Sequence, residues 1–369
     1  MSTHDVKGWC PGVLRPMMSG DGLVVRVRPY HGRLSRAQAD GIASMAAAHG
    51  NGLLDVSSRG NLQIRGVSQD SHAALIEGLY ALGLVDPTPE IEQRRNILTT
   101  PFWQRGDETE ALTKALTKHL AAQAPDLPAK FGFAVDTGPK PVLQNASADI
   151  RIERDAGGGL ILVADGMDTG QPIASDTAID EVMILAQWFA THRGDATRMK
   201  AITPPGAALV PRQTDSYLPA PGYTPNGAMV GLAFGQLDVQ TLASLAKHGA
   251  LRLTPWRLIL VESARALPQI DGVITDPNNP LLRITACTGA PGCPQALAQT
   301  RSLGRALAPH LKPAQTLHIS GCTKGCAHPR AAPLTFTAQP DGFALVRDGK
   351  AGDPPARAGL SPMDLKDHL

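Results

Sequence analysis

Leu242-Ala243-Ser244-Leu245, closed by His248-Gly249, repeats Ile42-Ala43-Ser44-Met45, closed by His49-Gly50. Apolar residues at helical spacing predict a helix in each copy, Leu34 to His49 and Leu237 to His248. Gly50 and Gly249 are expected to end these helices in left-handed backbone. The likeness continues outward from each helix. Asp21-Gly22 opens an apolar strand over Leu23 to Val27, and Asn226-Gly227 opens another over Ala228 to Phe234. A further strand follows each helix, Leu53 to Val67 in the first copy and Leu251 to Val261 in the second. A β-α-β unit used twice predicts two half-domains paired about a pseudo-twofold axis.

The segments beyond each unit correspond as well. Asn96-Ile97-Leu98-Thr99-Thr100-Pro101 precedes a helix over Glu108 to Ala121 and a strand over Lys130 to Val135. Arg283-Ile284-Thr285-Ala286-Cys287 precedes a helix over Gln295 to Ala308 and a strand over Thr316 to Ser320. The expected fold is therefore α+β in five parts. Residues 1–85 form the first half-repeat and 90–203 the first α/β module. Residues 204–225 form a linker marked by Pro204-Pro205, Pro211, Pro219, Pro221 and Pro225. Residues 226–275 form the second half-repeat and 276–369 the second α/β module, whose tail after Pro340 reads as a hairpin and an irregular end.

Only the second module carries a cysteine cluster: Thr285-Ala286-Cys287-Thr288-Gly289 with Gly292-Cys293-Pro294, then Ser320-Gly321-Cys322-Thr323-Lys324-Gly325-Cys326. The pairs read C-x5-C and C-x3-C, twenty-eight residues apart. Four thiolates in two pairs can close around a [4Fe–4S] cube, each iron taking one cysteine. Zinc is the rival, but its structural sites favour tighter C-x2-C pairs around one small ion. Glycines beside the ligands let the backbone turn closely. The fifth cysteine, Cys10 in Gly8-Trp9-Cys10-Pro11-Gly12, reads as structural.

The chain has 369 residues, enough for two or three domains, and 35 basic against 33 acidic residues. That balance points to neither nucleic acid nor a membrane surface. Five cysteines, four of them clustered, argue for a reducing compartment rather than a disulfide framework. The opening Met1-Ser2-Thr3-His4-Asp5-Val6-Lys7 lacks a signal-peptide run, so a cytoplasmic location is expected. No Gly-x-Gly-x-x-Gly follows a strand, and Gly157-Gly158-Gly159 reads as a hairpin turn rather than a phosphate cradle. Among the cations, Arg26 and Arg28 lie two apart on one strand and are expected on one face, as are Arg59 and Arg65 on the next. A solvated basic strand face is the competing reading.

With these features together, the chain resembles the sulfite and nitrite reductase superfamily over nearly its whole length. Ser58-Arg59-Gly60-Asn61-Leu62-Gln63-Ile64-Arg65-Gly66 is similar to that family's Thr-Arg-Gln-x-x-Gln-x-His/Arg-Gly strand. Arg95-Asn96-Ile97-Leu98 and Leu127-Pro128-Ala129-Lys130-Phe131 match two more of its segments. The resemblance implies two ferredoxin-like half-repeats, a cluster on Cys287, Cys293, Cys322 and Cys326, and Cys326 in the position that bridges to sirohaem in the reductases.

The departures point to one branch. Reductases carry a second active-site lysine where this chain has Gly132, which weighs against reduction of a small oxyanion. The opening Trp9-Cys10-Pro11-Gly12-Val13-Leu14-Arg15-Pro16 and the segment Cys322 to Pro329 resemble the precorrin-3B synthases of aerobic cobalamin biosynthesis. That branch implies an oxygen-dependent hydroxylation of the tetrapyrrole precorrin-3A with lactone formation. It implies Arg59 and Lys130 as catalytic residues and Arg26, Arg28, Arg59, Arg65, Arg95 and Lys130 as substrate-binding cations. It also implies a mononuclear non-haem iron; no facial triad is readable, and His328, then His31 and His318, are the candidate ligands. Electrons would come ultimately from NAD(P)H through a separate reductase or ferredoxin. A small sirohaem-dependent sulfite or nitrite reductase is the alternative.

Overall fold

The computed structural model describes residues 9–206 and 209–369. Two sheets form its centre, one of five strands and one of six (Val273–Ile274 pairs beside Gly227–Leu232), and neither is completed by its own half of the chain. The first runs Met17–Ser19, Gly22–Val27, Leu62–Val67, Leu53–Val56 and finally Gln236–Asp238, contributed by the second half. The second runs Gly222–Thr224, Gly227–Leu232, Leu258–Glu262, Leu251–Leu253 and finally Arg33–Leu34, contributed by the first half. Leu34 lies opposite Leu251, and Leu237 lies opposite Leu54. The halves thus exchange one short strand each.

The exchange has the same local cause on both sides. His31 and Phe234 adopt left-handed backbone (φ 56° and 60°) and each precedes a glycine of positive φ, so the chain turns out of its own sheet. The exchanged strand then runs straight into a capped helix. Ser35 forms a reciprocal capping box with Gln38 ahead of the helix Arg36–His49, and Asp238 accepts from the Thr241 N–H ahead of Val239–His248. The two helices pack together, and Ile42, Ala46, Leu242 and Leu245 belong to a single core shared by both halves.

Several expectations need correction. Gly50 and Gly249 are not left-handed; their φ values are −117° and 176°. They are glycines because a neighbouring strand passes too close: an added Cβ would lie 2.6 Å from the Arg65 carbonyl or 2.2 Å from that of Glu262. The strand expected from Leu53 to Val67 is a hairpin that turns at Ser57–Asn61, and its counterpart turns between Leu253 and Leu258. A hydroxyl holds each turn: Ser57 Oγ accepts from the Asn61 N–H and Thr254 Oγ1 from that of Leu258. Within the expected linker, Val210–Pro211 and Gly222–Thr224 are edge strands of their sheets.

The two α/β modules share a plan. In the first, Ile97–Thr99, Phe133–Val135 and Ile150–Arg154 run parallel, then Leu160–Ala164 returns antiparallel through the turn around Gly157-Gly158-Gly159. In the second, Ile284–Ala286, Leu317–Ser320 and Ala332–Gln339 run parallel, and Gly342–Gly349 returns antiparallel. Each module has its own core, one around Leu116, Phe133 and Phe189, the other around Ile284, Ile319 and Phe336. Among the described residues no helix is long and apolar enough to cross a membrane.

Candidate functional site

Parallel strands bring the cysteines to one edge. Ile284–Ala286 and Leu317–Ser320 are neighbours in register, so the loops leaving their C-terminal ends start side by side with Cys287 and Gly321-Cys322. The Gly321 N–H donates to Cys287 Sγ at 3.2 Å, which orients the sulfur. Thr300 Oγ1 donates to the Cys287 carbonyl (2.7 Å), and the Cys293 N–H donates to the Gly289 carbonyl (2.9 Å). Gly289 has φ +70°, and a side chain there would meet Thr300 Oγ1 at 2.6 Å, so glycine is required on both counts.

This loop also explains a shortened helix. The helix expected from Gln295 begins only at Thr300. The preceding backbone serves the cysteine loops instead: the Leu297 N–H donates to the Gly321 carbonyl, and the Ala298 carbonyl accepts from the Ala290 N–H.

All five cysteines are unpaired. Burial pushes the Cys326 thiol up, Lys324 opposes this, and Cys322, Cys287 and Cys293 each add to it, so the four lie within electrostatic reach of one another. Among the described residues no three His, Cys, Asp or Glu side chains come close enough to hold a single metal ion. Cys326 is the exposed member, and the other three are half-buried.

The structure sorts the six expected cations into two groups. Arg28 is buried against Glu92 at 3.3 Å and donates to the Pro11 carbonyl. Arg95 makes a two-pronged pair with Asp86 (2.9 and 2.7 Å) and stacks over Tyr30. Arg65 pairs with Asp21 in the same way (3.0 and 2.6 Å). These three are each paired with a carboxylate within the fold.

Arg26, Arg59 and Lys130 have no carboxylate hydrogen-bonded to them among the described residues. Burial lowers Arg26 to about 10, Cys10 opposes the fall, and Arg28 and Arg59 deepen it; its Nε is buried without a partner. Arg59 sits in the hairpin turn, not on the strand face with Arg65, and donates to the Lys130 carbonyl at 2.9 Å. Burial lowers its pKa too, again opposed by Cys10. Lys130 is exposed. A cavity of about 390 Å³, bordered by Cys10, Arg15, Arg28, Glu92 and Phe131, contains none of the four clustered cysteines.

Gly132 sits in packed surroundings. The space beside it is filled rather than open, since an added Cβ would lie 2.7 Å from Asn96 Nδ2 and 3.2 Å from Arg59 Nη1. Both neighbours are ends of flexible side chains, so a larger residue there requires Asn96 and Arg59 to move.

Of the candidate iron ligands, His328 and His318 lie together and His31 lies elsewhere. His328 faces the His318 ring at 5.5 Å, and its Nε2 lies 3.3 Å from the Ala331 carbonyl. His318 is fully buried with both ring nitrogens unpartnered; burial, then His328 and Arg257, hold it down to about 4. His31 packs edge-on to Trp103, far along the chain in the strand-exchange turn.

Two residues escaped the sequence reading. Cys10, expected to be structural, lies beside Arg26. Arg257, half-buried and lowered to about 10 by desolvation and then by Arg301, donates to the Ile284 carbonyl and Thr285 Oγ1 at the base of the cysteine loop. Aligning the repeats turn by turn would have found it, since Arg257 matches Gly60: both have φ near +60° and both precede the residue that the turn hydroxyl holds.

The nitrite/sulfite reductase ferredoxin-like half domain family matches residues 15–82. A precorrin-3B synthase from Sinorhizobium sp is 30% identical over 95% of this chain and 84% of its own length. A ferredoxin–nitrite reductase from Synechococcus elongatus is 28% identical over 37% of this chain and 28% of its own. The structure of the Mycobacterium tuberculosis NirA protein shares the fold, with a TM-score of 0.64 and 17% identity over 94% of this chain and 79% of that one.

Proposed function

The chain belongs to the precorrin-3B synthase family, and from that premise we propose how its residues serve the oxygen-dependent conversion of precorrin-3A to precorrin-3B in aerobic cobalamin biosynthesis. It is an oxidoreductase acting on a tetrapyrrole, hydroxylating a meso carbon with lactone closure. The observation that carries this reading is the extent of the likeness, which runs through nearly the whole chain. The nitrite reductase likeness covers only part of it. Gly132 agrees, because it stands where the reductases carry the second lysine of their oxyanion pocket.

Cys287, Cys293, Cys322 and Cys326 would hold a [4Fe–4S] cluster, which when bound supplies single electrons. The Gly321 N–H holds the Cys287 sulfur in place. Arg26, Arg59 and Lys130 would receive the acetate and propionate carboxylates of the substrate. Arg26 suits this task because burial strips its hydration and leaves Nε without an acceptor, so a carboxylate would restore both. Arg28 and Arg95, fixed by Glu92 and Asp86, hold the surrounding frame rigid. The mononuclear iron implied by the resemblance finds no ligand set among the described residues, and no step is assigned to it. A separate reductase or ferredoxin, in the cytoplasm, would deliver the electrons.

The test is direct. Anaerobically purified protein given precorrin-3A, electrons and isotopically heavy oxygen gas should release a product carrying one labelled oxygen atom. Arg59→Ala should weaken substrate binding by roughly tenfold or more, the loss of one charged hydrogen-bonding pair, with the cluster absorbance unchanged. Sirohaem absorption bands together with sulfite or nitrite turnover would transfer the protein to the reductases.

A further inference from the structure

The carbonyl of Gly292, next to Cys293, is held from across the molecule. Ser19 Oγ donates to it at 2.7 Å, Arg65 Nη2 at 3.0 Å and the Gly20 N–H at 3.2 Å, all from the first half of the chain. The approach is close: a Cβ on Gly20 would lie 2.4 Å from the Pro291 carbonyl. Arg65 is itself fixed by Asp21 and sits 3.9 Å from Asp55, with only 7% of its side chain exposed. Asp55 also pairs with Arg301 at 2.8 Å. Arg301 follows Thr300, whose hydroxyl holds the Cys287 carbonyl. Both ends of the C-x5-C loop are therefore tied to the same sheet of the first half, one through Arg65 and one through Asp55.

We infer that Arg65, aimed by Asp21 and Asp55, is a positioning residue that sets the Cys287–Cys293 loop for its cluster, rather than a clamp for substrate. A guanidinium is the group for this task, since its rigid fork can engage a carboxylate on one side while donating to a carbonyl on the other. Groups that orient metal ligands through one intervening contact tune both retention and electronic properties of the metal. The inference rests on the cluster reading given above.

The test compares wild-type protein, Arg65→Gln, Arg65→Lys and Asp21→Asn, all purified anaerobically. Iron and acid-labile sulfide per chain, the rate of cluster bleaching by a chelator, and the reduction midpoint are measured, with circular dichroism as the check on folding. Arg65→Gln should bleach roughly 10-fold faster and shift the midpoint, while still binding the tetrapyrrole. Arg65→Lys should fall in between, and Asp21→Asn should change in the same direction by less. If Arg65→Gln does not fold, Asp21→Asn carries the same criteria. Variants with wild-type bleaching and midpoint, or with weakened tetrapyrrole binding and an intact cluster, overturn this inference alone. Wild-type protein that lacks iron and sulfide overturns the cluster reading, and this inference with it.

Discussion

Asp136 shows how much one buried carboxyl can do. It is fully buried after the strand Phe133–Val135; Oδ2 accepts from the Val142 and Leu143 N–H groups at 2.7 and 2.6 Å, and Oδ1 has no partner. Burial pushes the carboxyl up to about 6 against the pull of those two donors. The folded chain thus keeps this proton at a pH where the unfolded chain, near 3.8, has released it. Its stabilising contribution is complete below about pH 4 and disappears as pH rises through about 6, an effect of about 3 kcal/mol. Asp136→Asn should raise the urea midpoint at neutral pH and flatten its dependence between pH 4 and 7. A variant with the parent's pH profile would move the cause elsewhere. Carboxylates also mark the limit of what single residues reveal in the sequence. Arg28, Arg65 and Arg95 are legible as cations, but Glu92 and Asp21, which neutralise two of them, lie 64 and 44 residues away from Arg28 and Arg65.

At the scale of elements, the paired helices and their flanking strands are legible because the apolar spacing and His-Gly endings repeat. The exchange of strands is not. Arg33–Leu34 and Gln236–Asp238 are too short to show periodicity, and nothing local tells a strand which sheet it will join. The cluster loops are half legible in the same sense: cysteine spacing names the ligands, while the three donors on Gly292 come from Ser19, Gly20 and Arg65, more than 220 residues distant. Leu237 tests the exchange. It is 4% exposed and lies opposite Leu54, so Leu237→Ala should cost about 2–5 kcal/mol. Amide hydrogen exchange should accelerate at Leu54 and Val56 in the first half as much as around the substitution. Changes confined to the neighbours of Leu237 would mean that the exchanged strand carries little of the first sheet's stability.

For the whole molecule, the shared central core binds the two halves, while each α/β module packs around a core of its own. A chain divided into residues 1–206 and 207–369 should give fragments that copurify when coexpressed and do not fold alone, because each lacks a sheet strand and half of the central core. A folded, cooperatively melting fragment 1–206 would contradict this. The exchange also sets a schedule for a ribosome making the chain. Leu53–Val56 emerges early, yet its partner Gln236–Asp238 follows roughly 180 residues later, on the order of 10–40 s at ordinary translation rates. Throughout that interval the nascent first sheet presents an open edge to other chains, the arrangement most exposed to aggregation. Protection during synthesis, by a chaperone that shields this edge, is thus a need written into the topology.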